Sequence, residues 1–402
     1  MNPDLIEAEK ICLSSLEKWS TIEEKIWMQK SRANWIQLGD SNTKFFHAYA
    51  KERRCQNNIK FLITEDGTRI DKHNLIKEEI RGFYLKLMGS SVDSLPMVDK
   101  NVVKRGPMLS QHQQDLLCSK FTAVEVKNVL FSMDSSKAPG IDGYNVHFFK
   151  CSWNIIGDSV IDAILDFFKT GFMPKIINCT YMTLLPKEVN VTSVKNFRPI
   201  ACCSVIYKII SKILTSRMQG VLNSVVSENQ SAFVKGRVIF DNIILSHELV
   251  KSYSRKGISP RCMVKIDLQK AYNSVEWPFI KHLMLELGFS YKFVNWVMGC
   301  LTTASYTFNI NGDLTRPFAA KKGLRQGDPI SPYLFVICME YLNICLIQLR
   351  KNAAFRFHPR CKRLNLIHVC FVDDLLLFSR GDVDSVSQLF EAFSLFSAAS
   401  EP

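Results

Sequence analysis

Apolar and polar positions alternate along the chain with spacings that change from segment to segment. Between Leu5 and Arg54, spaced apolar residues stand among many charges, which predicts long amphipathic helices. Residues 60–70 have strand character with a turn at 65–67, and helical spacing returns over Leu75–Met88. The following segment, 89–107, is rich in Ser, Pro and Gly, which is typical of a linker. The pattern therefore predicts a helical N-terminal extension over 1–88 and a linker over 89–107.

Further along, two apolar, strand-like segments each carry acidic residues at one end. Residues 262–268 read as a buried strand that ends in Asp267, and 368–379 read as a short β-hairpin with Asp373 and Asp374 at its turn. Adjacent carboxylates on a half-buried element cost free energy unless cations neutralise them. The cation that fits is Mg²⁺, which prefers carboxylate oxygens.

A less specific interpretation exists for each acidic segment. Asp is a favoured turn residue, so a solvated turn also explains Asp373 and Asp374. A single Asp after a strand, such as Asp267, is also typical of a helix N-cap. If the two strands are neighbours, however, the acids converge and could share two metal ions.

Two glycine-containing loops lie on either side of Asp267 in the sequence. The first, 135–144, follows a helix predicted over 122–133, and its Lys137 and backbone amides could approach a phosphate. A structural turn uses the same residue types. The second loop, 322–332, combines Arg325, Gln326 and Gly327 and leads into a helix that ends near Leu349. Before it, 305–313 predicts a hairpin with an Asn-Gly turn.

Charge narrows the class of partner. The chain has 51 Lys and Arg against 38 Asp and Glu, a net charge of +13, which favours nucleic acid or an acidic membrane surface. The excess is concentrated in residues 187–261, with 12 basic and 4 acidic residues. There, Lys208 and Lys212 align on one face of a predicted helix, and Lys235 and Arg237 share a loop with Phe233. Interleaved basic and aromatic residues suit a nucleic-acid groove, although a solvated charged face is the alternative.

Several other classes of protein fit poorly. The longest apolar run, 331–349, is interrupted by polar residues, so no membrane span is expected. The first ten residues carry three acids and no apolar core of signal-peptide length. The 13 cysteines include no Cys-x-x-Cys pair, which argues against a disulfide framework or a zinc site. We therefore expect an intracellular protein with reduced thiols.

The order of these motifs resembles the reverse transcriptase domain of non-LTR (LINE-type) retrotransposons, especially those of plant genomes. The matching segments are SNTKFFH at 41–47, KAPGIDG at 137–143, NFRPI at 196–200, DLQKAY at 267–272, GLRQGDPISP at 323–332 and FVDD at 371–374. Together they extend over nearly the whole chain. Several motifs in the family's order are far more specific than any one of them.

The resemblance implies an α+β fold of the right-hand polymerase type. It implies a fingers region over 108–260 and a partial palm over 261–402, in which a small antiparallel sheet is backed by helices. Residues 391–400 resemble the helix that enters the next palm motif, so we expect a C-terminally truncated domain without its thumb.

The resemblance also implies an RNA-directed DNA polymerase that adds deoxynucleotides to a primer 3′-OH with two Mg²⁺ ions, an RNA template and a DNA primer. Asp267, Asp373 and Asp374 are the implied catalytic metal ligands. The implied nucleotide-binding residues are Tyr272, Gln326, Gly327, Arg198 and Lys187. For nucleic-acid contact we predict Lys137, Lys208, Lys212, Lys235, Arg237 and Arg325.

Two departures from the family pattern lie close to these residues. Asn273 stands where the family often has Asp, and Val372 replaces the commoner Ala. Neither removes an implied ligand. With the truncation, they leave two alternatives open: a non-catalytic nucleic-acid-binding remnant, and a decayed retrotransposon gene product. A working polymerase of this kind is expected in the nucleus, and the oligomeric state stays open.

Overall fold

A computed structural model of the protein describes residues 3–31, 43–91, 98–251, 253, 259–268 and 270–400. Residues 32–42, within the segment predicted to form amphipathic helices, lie outside these residues. The chain forms two compact units. Unit 1 comprises Met1–Glu79, Leu184–Arg198 and Asn309–Leu314, and unit 2 comprises Ile80–Thr183, Pro199–Phe308 and Thr315–Pro402.

Helices make up most of the described chain. The α-helices are α1 (Pro3–Ser31), α2 (Thr43–Asn57), α3 (His73–Met88), α4 (Lys100–Val103), α5 (Gln111–Leu117), α6 (Ala123–Ser132), α7 (Val146–Cys151), α8 (Trp153–Thr170), α9 (Val205–Val221), α10 (Ile239–Val250), α11 (Ala271–Ser274), α12 (Trp277–Glu286), α13 (Tyr291–Thr302), α14 (Ser331–Gln348) and α15 (Val383–Ser400).

Within the described residues, the strands form three sheets. They are β1 (Leu62–Ile63), β2 (Arg69–Ile70), β3 (Cys179–Pro186), β4 (Phe197–Cys202), β5 (Arg261–Asp267), β6 (Ser305–Ile310), β7 (Asp313–Leu314), β8 (Phe318–Ala319), β9 (His368–Phe371) and β10 (Asp374–Arg380). β1 pairs with β2, a second sheet has the order β4-β3-β6-β7 with β8 also on β6, and the third has the order β5-β10-β9. This mixture of helix and antiparallel sheet confirms the predicted α+β class.

Local sequence explains several element ends. The helix predicted over 122–133 is α6, and the Thr122 side chain caps it by accepting a hydrogen bond from the Glu125 amide at 3.2 Å. The predicted Asn-Gly hairpin is β6–β7, because Asn311 and Gly312 both take the positive φ that a two-residue hairpin turn requires. The predicted linker contains α4, whose Val103 is fully buried. The domain boundary there stays a prediction.

The core of unit 2 is organised around α14. All of its residues from Leu334 to Leu346 are buried. Among the described helices, Ser331–Lys351 is long and apolar enough to cross a membrane, but 72% of its apolar stretch is buried inside the protein. Such burial is typical of a core helix, so this segment is weak support for a membrane span.

Candidate active site

The pairing of β5 with β10 brings two of the predicted acids together. The strands are antiparallel, and their register sets Asp267 directly opposite Asp374. Residues opposite each other in such a pair lie about 4.5–5.5 Å apart between Cα atoms and share one face of the sheet. Both side chains are exposed. The strands therefore present two carboxylates at one edge, 107 residues apart in sequence but adjacent in space.

A tight hairpin carries the other acid. Phe371 pairs with Asp374, so only Val372 and Asp373 form the turn between β9 and β10. Val372 has a φ of +58°, which is uncommon for a β-branched residue and stores strain. Asp373 follows it and is half-buried. Strained backbone of this kind is enriched at functional sites.

The strand that follows the turn is fixed by its apolar residues. Leu375 and Leu377 of β10, two residues apart and therefore on one face of the strand, are each at most 2% exposed. A slip of one residue would turn both side chains to the opposite face, so their burial helps to specify the register. The register in turn specifies which acids face each other.

A lysine from the same strand as Asp267 already neutralises part of the acidic charge. The Nζ of Lys265 lies 3.2 Å from Oδ1 of Asp374, and both side chains are about 60% exposed. An exposed ion pair of this kind contributes little to stability. It does show that Asp374 attracts a cation.

Tyr272 lies beside these acids on α11. Its ring stacks on Phe335 of α14, with 4.5 Å between ring centroids and 13° between ring planes. Burial, and secondly the negative charge of Asp373, raise the pKa of the Tyr272 hydroxyl. The hydroxyl therefore stays protonated at neutral pH and can donate a hydrogen bond.

The loop that contains Gly323 holds the Tyr272 segment in place. The Leu324 amide donates to the Tyr272 carbonyl at 2.5 Å, and the Gly323 amide donates to the Val275 carbonyl at 2.8 Å. Gly323 has a φ of +86°, and a Cβ there would lie 2.6 Å from the Asn273 carbonyl oxygen. Only glycine fits such a close approach. The motif 323–332 thus supports Tyr272 through its backbone.

Gln326 and Gly327, predicted to bind nucleotide, lie next in this loop. The Gln326 carbonyl accepts from the Ala201 amide of β4 at 2.7 Å, while its side chain is half-buried. Gly327 is exposed, with a φ of +102°. These contacts place the loop against β4 and leave the nucleotide role a prediction.

Arg325 has a different role from the one that the sequence predicts. It is 3% exposed, and one of its terminal nitrogens lies 2.9 Å from the Asp328 carboxylate. The guanidinium also donates to Asn178, to Thr180, to the Cys300 carbonyl and to the Tyr207 hydroxyl. Because these buried partners engage both terminal nitrogens, the prediction that Arg325 contacts nucleic acid is wrong.

Of the three predicted nucleic-acid-binding lysines in the first glycine loop and α9, one is exposed and the other two donate hydrogen bonds within the protein. Lys137 is exposed. Lys208 is half-buried and donates to the Ala138 carbonyl at 2.9 Å, and Lys212 donates to Ser132 at 3.0 Å. Gly140 packs on the α9 N-terminus, because a Cβ there would lie 2.7 Å from Ser204. This close packing explains why a glycine stands at position 140. The phosphate role of Lys137 stays a prediction.

The remaining basic residues lie on loops and at strand ends. In unit 2, Lys235 is exposed, whereas Arg237 donates to the Val226 carbonyl at 2.8 Å and the Gln230 carbonyl at 2.7 Å. In unit 1, Lys187 and Arg198 are exposed, and Lys187 Nζ donates to the Lys195 carbonyl at 3.2 Å. Their predicted contacts with nucleic acid or triphosphate stay predictions.

The donor set suits a hard divalent cation, because carboxylate oxygens are what Mg²⁺ prefers. Among the residues that the structure describes, however, no three His, Cys, Asp or Glu side chains are gathered closely enough to hold an ion. The register brings Asp267 to Asp374, and Asp373 lies on the adjoining turn. Mg²⁺ is commonly held by one or two carboxylates together with water and phosphate oxygens, so the facing pair Asp267 and Asp374 fits such an ion.

Sequence reasoning missed one residue of this neighbourhood. Gln230, from the loop before α10, donates to Cys370 Sγ at 3.2 Å and accepts from the Val372 amide at 3.3 Å. Its loop is recognisable as basic and aromatic, but nothing local shows that it contacts a strand 140 residues away. Only the tertiary pairing identifies it.

Comparisons with known proteins identify the family to which the chain belongs. Residues 185–400, slightly more than half of the chain, match the family described as "Reverse transcriptase (RNA-dependent DNA polymerase)". The chain therefore belongs to the reverse transcriptase family.

Similar curated proteins come from transposable elements. The chain is 29% identical over 371 residues to the "Transposon TX1 uncharacterized 149 kDa protein" of Xenopus laevis, covering 92% of this chain and 28% of that protein. It is 24% identical over 336 residues to the "Retrovirus-related Pol polyprotein from type-2 retrotransposable element R2DM" of Drosophila melanogaster, covering 82% of this chain and 30% of that protein. The chain thus spans less than a third of either relative. These relatives confirm that it is a reverse transcriptase domain of the non-LTR retrotransposon type.

Proposed function

We propose that this domain is an RNA-directed DNA polymerase that adds deoxynucleotides to a primer. The primer 3′-OH attacks the α-phosphate of a deoxynucleoside triphosphate, and pyrophosphate leaves. The observation that supports this most directly is the register that sets Asp267 opposite Asp374, with Asp373 on the adjoining turn. Family membership supplies the reaction class.

In this proposal, the three carboxylates of Asp267, Asp373 and Asp374 hold two Mg²⁺ ions. Such ions, when bound, activate an attacking oxygen and stabilise a leaving one. The chain itself supplies the precise placement of the carboxylates, since positioning and electrostatic stabilisation provide most of the catalysis in phosphoryl-type transfer.

Tyr272 fits the proposed nucleotide site in two respects. Its ring is held flat on Phe335, so it offers a rigid surface for the sugar of the incoming nucleotide. Its backbone is held by the loop that carries Gln326 and Gly327. A fixed ring at this position discriminates sterically against a 2′-OH. Arg198 and Lys187 are proposed to neutralise triphosphate charge.

The exposed basic residues extend the proposal to the template and primer. Lys137 and Lys235 are exposed, and Phe233, also exposed, lies in the same loop as Lys235. Cations beside an aromatic ring suit single-stranded nucleic acid, with charge on the phosphates and the ring on a base. Lys208, Lys212 and Arg237 are proposed to support these loops and to add positive potential.

Three finer assignments rest on motif resemblance. The fingers and palm regions of a right-hand polymerase are proposed at 108–260 and 261–402. A plant element is proposed as the origin, and the nucleus as the site of action, because reverse transcription into a genome needs chromosomal DNA.

The test is Mg²⁺-dependent extension of a DNA primer on an RNA template. The purified chain is compared with Asp373→Asn/Asp374→Asn and with a version that carries a family-like thumb. Asp384→Asn, on the exposed first turn of α15, is the matched control. Extension that is lost in the double variant and kept in the control supports the proposal.

The thumb-bearing version separates two kinds of failure. If only that version extends the primer, the acidic site works and the isolated chain lacks a grip on the duplex. If neither version extends the primer while both bind RNA, the polymerase proposal is overturned.

The exposed basic residues also favour a second candidate, a non-catalytic nucleic-acid-binding domain. Binding through lysines to phosphates weakens steeply as salt rises. Salt-dependent RNA binding that is unchanged by Asp373→Asn/Asp374→Asn, without primer extension, is the result that this candidate predicts.

A further inference from the structure

The loop before α10 is joined to the acidic hairpin by backbone pairing. Gln230 forms a parallel bridge with Cys370 of β9. The Cys370 amide donates to the Asn229 carbonyl at 2.9 Å, and the Ser231 amide donates to the Cys370 carbonyl at 3.2 Å. The loop thus continues the β5-β10-β9 sheet beyond β9, immediately before the turn that carries Asp373.

The Gln230 side chain reaches further, to the turn itself. Its Oε1 accepts from the Val372 amide at 3.3 Å and from the Ala232 amide at 3.0 Å, and its Nε2 lies 3.2 Å from Cys370 Sγ. Gln230 is 4% exposed. A single buried amide therefore connects its own loop, the end of β9 and the strained residue of the turn.

Neighbouring side chains hold the loop that bears Gln230. Asn242 of α10 donates to Ser231 at 2.8 Å and to the Cys370 carbonyl at 3.2 Å. Arg237 donates to the Gln230 carbonyl at 2.7 Å. Because the loop is anchored at several points, Gln230 acts as a fixed support for the turn.

We propose that Gln230 is a positioning residue, which keeps Val372 at positive φ and thereby aims the following carboxylates, Asp373 and Asp374. The proposal rests on the proposed polymerase function, and it adds a residue that the motif resemblance does not assign. Removing the acceptor leaves the Val372 amide without its partner. A change of φ at Val372 then turns the chain that follows it, which carries Asp373.

The informative variant is Gln230→Met, which keeps the length of the side chain and removes the acceptor. The matched control is Thr307→Val. Thr307 is also buried, and its hydroxyl donates to the Thr315 carbonyl at 2.8 Å, but it lies on β6 in another sheet. Thr307→Val loses one buried hydrogen bond and Gln230→Met loses three, and only Gln230→Met removes bonds to the hairpin residues Cys370 and Val372.

Hydrogen exchange measures how firmly Gln230 holds the turn, and it does not require the protein to be active. We expect the amides of residues 370–374 to exchange at least about tenfold faster in Gln230→Met, because loss of the bond from the Val372 amide alone costs about that factor. Exchange in α14 is expected to be unchanged, and Thr307→Val is expected to leave the hairpin amides as in the wild type.

Metal binding measures the consequence for the carboxylates. Binding of Mn²⁺, followed by loss of the free-ion EPR signal, is expected to weaken about tenfold in Gln230→Met and to stay unchanged in Thr307→Val. In primer extension, the Mg²⁺ concentration for half-maximal rate is expected to rise, while the rate at saturating Mg²⁺ changes far less.

The two proposals fail in distinguishable ways. Unchanged exchange at 370–374, or faster exchange with unchanged Mn²⁺ binding, overturns the role of Gln230 whatever the activity. If neither the wild-type chain nor its thumb-bearing version extends a primer although both bind RNA and Mn²⁺, the polymerase proposal is overturned, and the exchange and Mn²⁺ comparisons still decide on Gln230.

Discussion

The charges at the β5–β10 edge and the charges around Arg325 lie in neighbouring motifs, yet their surroundings are opposite. Asp267 and Asp374 are exposed, and an exposed lysine contacts one of them. Arg325 and Asp328 are buried, with side chains 2% and 0% exposed, and hydrogen-bonded throughout. Charges that remain open to solvent can bind a ligand, whereas charges enclosed by protein partners hold the fold together.

The largest effect on stability is expected for the buried ion pair of Arg325 and Asp328. Arg325→Met leaves the Asp328 carboxylate buried without its cation, which should cost about 3–5 kcal/mol of unfolding free energy. Chemical denaturation monitored by circular dichroism measures this loss. In the double variant Arg325→Met/Asp328→Leu, part of the stability should return. A stable single variant would contradict the contrast between the two regions.

A buried acid next to the Gln230 loop gives the second effect. Glu340 accepts from the Ser227 amide at 3.0 Å and from Asn343 at 2.6 Å, and burial raises its pKa to about 7. Since the folded state holds this proton more tightly than the unfolded state, stability contributed by Glu340 falls as pH rises from about 4.5 to about 7.

Comparison with Glu340→Gln isolates that dependence. Relative to the variant, the wild type should lose up to about 3 kcal/mol between pH 5 and pH 8. Thermal unfolding at several pH values measures the difference. A difference that is constant across this range would show that Glu340 is ionised throughout.

The strained turn gives a smaller effect. Val372→Gly removes the Cβ that makes a φ of +58° costly, at the expense of greater freedom in the unfolded chain. We expect a net gain of about 0.5–1 kcal/mol. Val372→Ala keeps a Cβ and should gain less. Equal stability in all three proteins would mean that the turn stores no strain.

The smallest effect is expected at the acidic edge itself. Asp267→Asn removes an exposed charge and should change the unfolding free energy by no more than about 0.5 kcal/mol, although the proposal requires loss of primer extension. Thermal unfolding and extension assays on one preparation test both. A large loss of stability would place Asp267 with the structural charges around Arg325.

Much of this architecture could be predicted from local patterns. The helix over 122–133, the Asn-Gly hairpin and the acid-bearing hairpin are encoded by residues close together in sequence, and the structure has all three. That Asp267 and Asp374 face each other could be predicted only on the condition that their strands are neighbours. Whether two strands are neighbours depends here on contacts between residues 107 positions apart.

The wrong prediction for Arg325 and the failure to identify Gln230 have the same cause, which is that both side chains are buried. Arg325 looks like any cation in a glycine-containing loop, and its partners Asn178 and Asp328 come from distant or unremarkable positions. Gln230 carries no charge, and the basic and aromatic pattern of its loop does not single it out. Sequence periodicity identifies which elements form, but it does not identify which polar residue ends inside the core.

The exposure of Asp267 and Asp374 determines which mutations can accumulate in copies of such a gene without loss of the folded protein. A mutation that removes either carboxylate leaves the packing of β5 and β10 unchanged, so the altered protein should still fold and accumulate. Mutations in the buried residues of β10, such as Leu375 and Leu377, should instead remove the protein altogether. Catalysis can therefore disappear from a lineage while expression and solubility persist, and copies that have lost it must be recognised by a few surface positions.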